Sequence, residues 1–157
     1  MSKLKKNITV GIPVYGDWPS LAKCLDSLKE NLGAGNKVIL VDDCGPQTDE
    51  MKRNINTRIA GLKNFEYYRN PRNLGFVRTC NRIALELDKS ANDLLLLNSD
   101  TEVSKGALEE MSAVLLASPR HGCVSPRSNN ATICTVPFLH RSNFAIRDDL
   151  VYSQNIY

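Results

Sequence analysis

The chain has 157 residues and a formal net charge of +3, and 42% of its residues are hydrophobic. This is enough for one globular domain with a core of its own. The small charge, and the lack of a basic run interleaved with aromatic residues, argue against a nucleic-acid-binding protein. No apolar run approaches the roughly 18 residues of a membrane-spanning helix, and the N-terminus has no signal-peptide pattern.

The lysines Lys3, Lys5 and Lys6 form the one basic cluster of the sequence. We interpret residues 1–6 as a solvated tail, with contact to a membrane surface as the alternative. The five cysteines are odd in number and include no C-x-x-C pair, so they indicate neither a zinc site nor a disulfide framework. Reduced thiols in a cytoplasmic protein are the simplest interpretation.

Short apolar runs alternate with amphipathic stretches along the first two thirds of the chain. The runs predict strands at 8–14, 37–41, 64–69 and 93–97. Their near-continuous apolar character is typical of strands buried on both faces. The stretches predict helices over 21–28, 51–59, 77–87 and 108–116, the third starting just after Gly75 and the fourth with Ser104 as its N-cap. This alternation predicts an α/β fold with a mostly parallel sheet and helices on both faces.

The pattern changes after Ser118. Residues 122–125 and 132–136 predict two further short strands, and residues 128–130 predict a turn between them. No period is visible from Pro137 onward. The two histidines show no nucleophile–base pattern, and we interpret His121, at the start of a predicted strand, as structural.

Polar segments follow each of the four predicted strands. Because ligands of an open parallel sheet bind beyond the carboxyl ends of its strands, these segments are the candidate site. They are residues 13–17, 42–45, 70–75 and 98–102.

The adjacent acids Asp42 and Asp43 end the second predicted strand. Two neighbouring carboxylates repel each other and usually need a partner. A functional interpretation is favoured because Asp100 occupies the equivalent strand end two units later. The alternative is that one of them caps a turn or a helix while the other is solvated.

Asp100 follows a run of four leucines, within the sequence Asn98-Ser99-Asp100. A hard divalent cation prefers oxygen ligands and can bridge one or two carboxylates to a diphosphate. The alternative is a loop aspartate that caps the helix beginning near Ser104.

The sequence has no glycine-rich phosphate loop, neither G-x-G-x-x-G nor G-K-[ST]. Its absence argues against a dinucleotide-binding enzyme and against a P-loop nucleoside triphosphatase. A bound phosphate would then be neutralised by a metal, with Arg69, Arg72 and Arg78 as candidate helpers.

Taken in order, four blocks resemble the family 2 glycosyltransferases of the GT-A fold, and the resemblance covers residues 7–117. The N-x-D form of the last block resembles rhamnosyltransferase-like members. The blocks are I-P-V-Y-G at 12–16, V-D-D-C-G at 41–45, N-P-R-N-L-G-F at 70–76 and L-N-S-D at 97–100.

The resemblance implies roles by position. Pro13 and Tyr15 match the opening motif that lines the nucleotide pocket, although Gly16 replaces its usual asparagine. Asp43, together with Asp42, matches the acidic pair that contacts the nucleobase.

Further matches border the nucleotide and the metal. Asn73 and Gly75 match the N-x-G segment beside the nucleotide, and Arg78 lies in the helix that approaches it. Asn98-Ser99-Asp100 matches the D-x-D motif, which makes Asp100 the main ligand of Mn²⁺ or Mg²⁺. Asn98 would be a weaker ligand or a ribose contact.

The function implied by this resemblance is metal-dependent, inverting glycosyl transfer. A hexosyl or deoxyhexosyl group would pass from a nucleoside-diphosphate sugar to a glycan or lipid-linked acceptor, in cell-surface polysaccharide synthesis at the inner face of the membrane. The alternative is a nucleotide-sugar-binding module without turnover of its own. A third hypothesis is a nucleotidyltransferase, but the glycine-rich signature of that class is missing near the first predicted strand.

The last part of the chain departs from the family pattern. We expect residues 7–117 to form the donor-binding core and residues 118–157 to begin an acceptor region, so that the GT-A domain is incomplete. Asp148 and Asp149 are the only late carboxylates, and they lack the surroundings expected of a catalytic base. No catalytic residue is assigned, and an exposed sheet edge leaves pairing with a second copy open.

Overall fold

A computed structural model describes residues 6–126. The described chain falls into two units that divide after Val103. The first unit contains β1 (Ile8–Val14), α1 (Trp18–Asn31), β2 (Lys37–Asp42), α2 (Thr48–Arg58), β3 (Phe65–Arg69), α3 (Phe76–Arg82) and β4 (Asp93–Leu96). A π-helical turn, Ile83–Leu87, continues α3 without a break. The described part of the second unit contains α4 (Ala107–Leu116).

The four strands form one parallel sheet in the order β3-β2-β1-β4. The chain moves outward from β1 through β2 to β3, and then returns across the sheet to β4. Because such crossovers are right-handed, α1 and α2 cover one face and α3 covers the other. The predicted mostly parallel sheet is therefore confirmed.

The core lies on both faces of the two central strands. Val10, Ile12 and Val14 are fully buried on the face of β1 that α1 and α2 cover. On the opposite face, Ile83 packs against Ile39 and Val41 of β2.

Close packing between β1 and α3 depends on a glycine. A Cβ atom added to Gly11 would lie 2.6 Å from Cγ2 of Ile83. Only a residue without a side chain fits there, so Gly11 lets the π-helical turn approach the sheet.

The predicted strands agree with the observed bounds to within one residue at each end. The expectation that every strand is buried on both faces is wrong for β3 and β4, which lie at the edges of the sheet in the described chain. In β3 only Phe65 is buried, and in β4 Leu94 and Leu96 are 37% and 47% exposed.

Two other predictions are wrong. Ser104 is not the N-cap of α4: Gly106 occupies that position with φ of 83°, and the Ser104 carbonyl accepts a hydrogen bond from the Ala107 amide at 3.2 Å. Residues 122–125 form no strand. The predictions for 128–130, 132–136, Asp148 and Asp149 lie outside the described residues.

Two polar side chains near the ends of the described chain, Lys6 and His121, contact the rest of the protein. Lys6 is not wholly solvated, since its ammonium pairs with the Asp93 carboxylate at 3.1 Å. A ring nitrogen of His121 lies 2.7 Å from the Val114 carbonyl oxygen. Over residues 6–126, no helix is both long and apolar enough to cross a membrane.

Candidate functional site

All four candidate segments meet at the carboxyl edge of the sheet, because every strand runs in the same direction. The chain leaves β1 toward β2 on one side and returns to β4 on the other. The carboxyl ends of β1 and β4 therefore form the point where the strand order reverses, which is where open α/β sheets bind ligands. The segments after Val14 and Leu97 flank that point.

The loops after β1 and β2 are in main-chain contact. The Asp43 amide donates to the Val14 carbonyl oxygen at 2.9 Å. A Cβ on Gly45 would lie 2.8 Å from the Gly16 nitrogen and 3.1 Å from the Tyr15 carbonyl carbon. Tyr15 itself is 57% exposed at the carboxyl edge of the sheet.

Asp42 is buried and its carboxylate is engaged by nearby groups. One oxygen accepts the Cys44 amide at 3.0 Å, and the other accepts the Thr48 hydroxyl at 2.6 Å and the Tyr67 hydroxyl at 3.0 Å. Burial, reinforced by the Asp42 charge, raises the pKa of Tyr67. Asp42 thus joins the turn after β2 to α2 and β3.

Asp43 is also buried and ties β2 to the loop after β3. Its Oδ1 accepts from the Asn70 side-chain amide at 2.6 Å and from the Leu74 amide at 2.7 Å, and its Oδ2 accepts from the Gly75 amide at 2.8 Å. Burial alone would raise the pKa of Asp43, but these hydrogen bonds outweigh it and lower the pKa. The alternative is therefore right in one part, since Asp42 caps the turn after β2 through the Cys44 amide, and wrong in the other, since neither acid is solvated.

A second layer of polar side chains holds Asn70 against Asp43. The Asn70 amide donates to the Thr79 hydroxyl at 2.9 Å, and the Arg82 guanidinium donates to the Asn70 carbonyl oxygen and, at 3.1 Å, to the Arg69 carbonyl. This role of Asn70, Thr79 and Arg82 is not predicted from the sequence. No motif or spacing in the sequence connects these three residues to Asp43, because only the fold brings them close to it.

The segment around Asn73 is exposed at the start of α3. The Asn73 side chain accepts the Gly75 amide at 2.9 Å, and Gly75 has a φ of 83°, in the region that favours glycine. Arg78 is exposed beside it. Arg72 is exposed too, whereas Arg69 pairs with Asp49 at 2.8 Å and is less available to a phosphate.

The loop after β4 presents Asp100 to solvent. The Leu97 amide donates to the Gly11 carbonyl at 2.9 Å, and the Thr101 amide donates back to the Asn98 carbonyl at 3.2 Å, which closes a turn. Asn98 and Asp100 are exposed, and Ser99 is partly buried. Within residues 6–126, the Asp100 carboxylate makes no hydrogen bond or ion pair, so the alternative of a helix-capping aspartate is wrong.

The donors of this loop suit a hard divalent cation. Asp100, Asn98 and the exposed Glu102 offer oxygen atoms, the ligands that Mn²⁺ and Mg²⁺ accept. The described residues contain no cluster of three or more histidine, cysteine or acidic side chains able to hold a metal. A cation here would therefore take its other ligands from a diphosphate and water, and the residues fit that arrangement.

The buried thiol of Cys24 lies beneath this loop on α1. Burial raises the pKa of Cys24 to about 12, and the nearby Asp100 and Glu102 charges contribute to the increase. The sulfur of Cys24 lies 4.0 Å from the Asn98 carbonyl oxygen, so the acidic loop and α1 are close neighbours.

The fold is that of the GT-A glycosyltransferases. Three similar solved structures are GalNAc-T7 with UDP, GalNAc and Mn²⁺ (16% identity, TM-score 0.61), the mannosyltransferase PcManGT from Pyrobaculum calidifontis with GDP-Man and Mn²⁺ (16%, 0.63), and S. aureus TarS 1-349 (20%, 0.57). The matches cover 73%, 73% and 69% of this chain. They cover 22%, 33% and 32% of those chains, so this chain spans at most a third of their length.

A match to a protein-family model assigns the chain to one family within this fold. The model of glycosyl transferase family 2 matches residues 9–151. The chain belongs to that family. No curated protein matches it significantly.

Proposed function

We propose that the chain binds the nucleoside-diphosphate sugar of a glycosyl transfer reaction, through a divalent cation held by Asp100. The observation that carries the proposal is the exposed Asp100 carboxylate, which has no partner within residues 6–126 and lies where the strand order reverses. The solved structures that contain UDP or GDP-Man together with Mn²⁺ support it.

The nucleoside lies, in this proposal, over the ends of β1 and β2. Pro13 and Tyr15 form its wall, and the exposed ring of Tyr15 is free to pack against a base or a ribose. Asp42 and Asp43 border the nucleobase. Because their oxygens already accept hydrogen bonds from the chain, their main contribution is to order the loops that meet the base.

The diphosphate lies nearer to the start of α3 and the loop after β4. Asn73 and Gly75 border the nucleotide, and the exposed Arg78 supplies positive charge toward the phosphates. Ser99 and the amide oxygen of Asn98 lie beside Asp100, where Asn98 serves as a second oxygen ligand or as a ribose contact.

Cleavage of the bond between sugar and diphosphate leaves negative charge on the departing oxygens. A cation bound at this site supplies Lewis-acid stabilisation of that charge. The role of Asp100 is to hold the positive charge at the phosphates without neutralising it fully. Inverting transfer also needs a base for the proton of the acceptor hydroxyl, and we assign that role to no residue.

The finer assignment rests on the Asn98-Ser99-Asp100 form of the motif. We propose a rhamnosyltransferase-like enzyme that transfers a hexosyl or deoxyhexosyl group to a glycan or lipid-linked acceptor, during synthesis of a cell-surface polysaccharide at the inner face of the membrane. Mg²⁺ is an alternative to Mn²⁺ because both accept the same oxygen donors.

Calorimetry tests the donor site. UDP, GDP and dTDP are titrated with and without Mn²⁺ into the wild type, Asp100→Ala and the control Glu30→Ala, whose exposed carboxylate lies in the last turn of α1 and makes no hydrogen bond or ion pair within residues 6–126. We expect metal-dependent binding that Asp100→Ala loses and Glu30→Ala keeps. Equal binding by the wild type and Asp100→Ala would show that Asp100 is not the metal ligand.

A second assay separates an enzyme from a binding module. Hydrolysis of the nucleotide sugar that matches the preferred nucleotide is followed in the presence of Mn²⁺. Release of the nucleoside diphosphate by the wild type supports turnover, whereas tight binding without release supports the module.

A further inference from the structure

One face of α1 carries polar side chains where the rest of its buried surface is apolar. Cys24, Ser27 and Asn31 are spaced by three and four residues, so they share one face of the helix. We call these three residues the α1 polar face. It lies against the main chain of residues 98–103, the loop that carries Asp100.

The α1 polar face satisfies both main-chain groups of Val103, a residue that is only 7% exposed. The Ser27 hydroxyl accepts the Val103 amide at 2.8 Å, and the Asn31 side-chain amide donates to the Val103 carbonyl at 2.9 Å. Main-chain groups buried away from water need such partners. Two side chains of one helix therefore fix the end of the loop.

Both side chains are themselves fixed by α1. The Ser27 hydroxyl donates to the Cys24 carbonyl at 2.8 Å, which leaves its lone pairs for the Val103 amide. The Asn31 amide also donates to the Ser27 carbonyl at 3.0 Å. Each side chain therefore reaches the loop from a position held by the helix.

Cys24 reaches the start of the same loop. Its thiol lies 4.0 Å from the Asn98 carbonyl oxygen, the weak acceptor of its hydrogen bond. The start of the loop is held by the hydrogen bond from Leu97 to Gly11. The main chain is thus held before and after Asp100, whose carboxylate stays exposed.

We propose that Ser27 and Asn31 are positioning residues for the cation site, because they fix the loop from which Asp100 binds the metal. This inference rests on the proposed role of Asp100. A carboxylate on a fixed turn loses little conformational freedom when it binds, whereas a loose loop must be ordered by the ligand. Groups that orient a metal ligand are known to influence metal affinity strongly.

The test compares Ser27→Ala and Asn31→Ala with two controls in the whole chain. Ser27→Thr keeps the hydroxyl, and Lys23→Ala changes an exposed residue of α1 whose side chain makes no hydrogen bond or ion pair within residues 6–126. Mn²⁺ is titrated in the presence of UDP and, separately, of GDP. We expect Ser27→Ala and Asn31→Ala to weaken the apparent Mn²⁺ affinity by about tenfold, and both controls to retain it.

Two further measurements distinguish positioning from a purely structural role. Nucleotide affinity in EDTA should not change in Ser27→Ala or Asn31→Ala, and their amides at 99–103 should exchange hydrogen faster than in the wild type. Variants that unfold at lower temperature while their Mn²⁺ affinity stays at the wild-type value would overturn the inference.

Asp100→Ala, measured in parallel, separates this inference from the proposed function. If Asp100→Ala loses Mn²⁺ binding and neither Ser27→Ala nor Asn31→Ala weakens it, the positioning role alone is wrong. If Asp100→Ala binds Mn²⁺ like the wild type, the cation site itself is wrong and the positioning role is lost with it.

Discussion

Asp43 joins parts of the site that are distant in sequence. Its carboxylate accepts amide hydrogen bonds from Leu74 and Gly75, which lie 31 and 32 positions further along the chain. These bonds hold the loop after β3 against the end of β2. The negative charge strengthens them, because hydrogen bonds to an ionised acceptor are stronger than neutral ones.

We predict that Asp43→Asn lowers the free energy of unfolding by about 2–3 kcal/mol at pH 7. Asparagine is similar in shape, but it lacks the charge and turns one acceptor into a donor that faces an amide. The pKa of Asp43 in the folded chain lies below its ordinary value. The stabilisation is therefore complete above about pH 4 and is lost as the pH falls through the folded pKa.

Urea unfolding at pH 7, 5 and 3 checks this prediction. The difference between the wild type and Asp43→Asn should be equal at pH 7 and 5, and it should shrink at pH 3. A difference that stays constant down to pH 3 would mean that the charge of Asp43 does not contribute.

Gly45 is the residue at which the loops after β1 and β2 touch. We predict that Gly45→Ala weakens UDP or GDP binding on the order of tenfold, because its methyl group would push the main chain of Tyr15 and Gly16 away from their place at the edge. Calorimetry measures the change. Gly122→Ala, where the added Cβ meets nothing within 4 Å, is the matched control. Wild-type affinity in Gly45→Ala would show that this contact does not shape the site.

The sequence predicts that the candidate residues directly follow the strands, but it does not reveal their hydrogen-bond partners. Each candidate followed an apolar run, and the position after a strand is visible without the fold. That Asp43 would bond to Leu74, or that Asn70 would bond to Thr79, depends on loops meeting in space. Neither the residue types nor their spacing along the sequence indicates such contacts.

At the level of the elements, packing of α3 against β1 depends on Gly11 and Ile83. We predict that Gly11→Ala costs about 1–3 kcal/mol of unfolding free energy, since its methyl group would overlap Cγ2 of the buried Ile83. Ile83→Ala alone should cost about 2–5 kcal/mol through the cavity that it leaves.

A double-mutant cycle measured by urea unfolding identifies the contact. In Gly11→Ala with Ile83→Ala, the new methyl group enters the space that the isoleucine leaves, so the double variant should be less destabilised than the sum of the single variants. If the two changes in unfolding free energy are simply additive, the side chains at positions 11 and 83 do not interact.

The elements themselves were largely predictable. Runs such as Asp93–Leu97 are too short for buried helices, and the stripe from Leu21 to Leu28 has helical spacing. What failed was local. The leucines of β4 look buried in the sequence, but their exposure depends on which strand lies at the edge of the sheet. Gly106 rather than Ser104 is the N-cap of α4, because the positive φ at that position favours glycine.

At the level of the whole molecule, the order β3-β2-β1-β4 gathers four distant segments at one edge. Binding there should therefore stabilise the whole sheet. At a nucleotide concentration about 100 times Kd, the gain is about 2.7 kcal/mol, which corresponds to an increase of roughly 5–10 °C in Tm for a chain of this size.

We predict this increase for UDP or GDP with Mn²⁺ in a thermal unfolding experiment. With EDTA in place of Mn²⁺ the increase should be much smaller, because the phosphates then lack the charge that Asp100 holds near them. Asp100→Ala should behave with Mn²⁺ as the wild type does with EDTA. An equal increase with Mn²⁺ and EDTA would contradict a role for the cation.

Ser27 and Asn31 contact residue 103 only through its main-chain nitrogen and oxygen. Any residue other than proline offers the same two atoms. Among diverging relatives, the hydroxyl and amide on α1 would be under selection while position 103 exchanges freely among apolar residues that fit the core. A substitution inside a helix, far from the ligand in sequence, would then change the metal requirement of a relative whose metal-binding motif is intact.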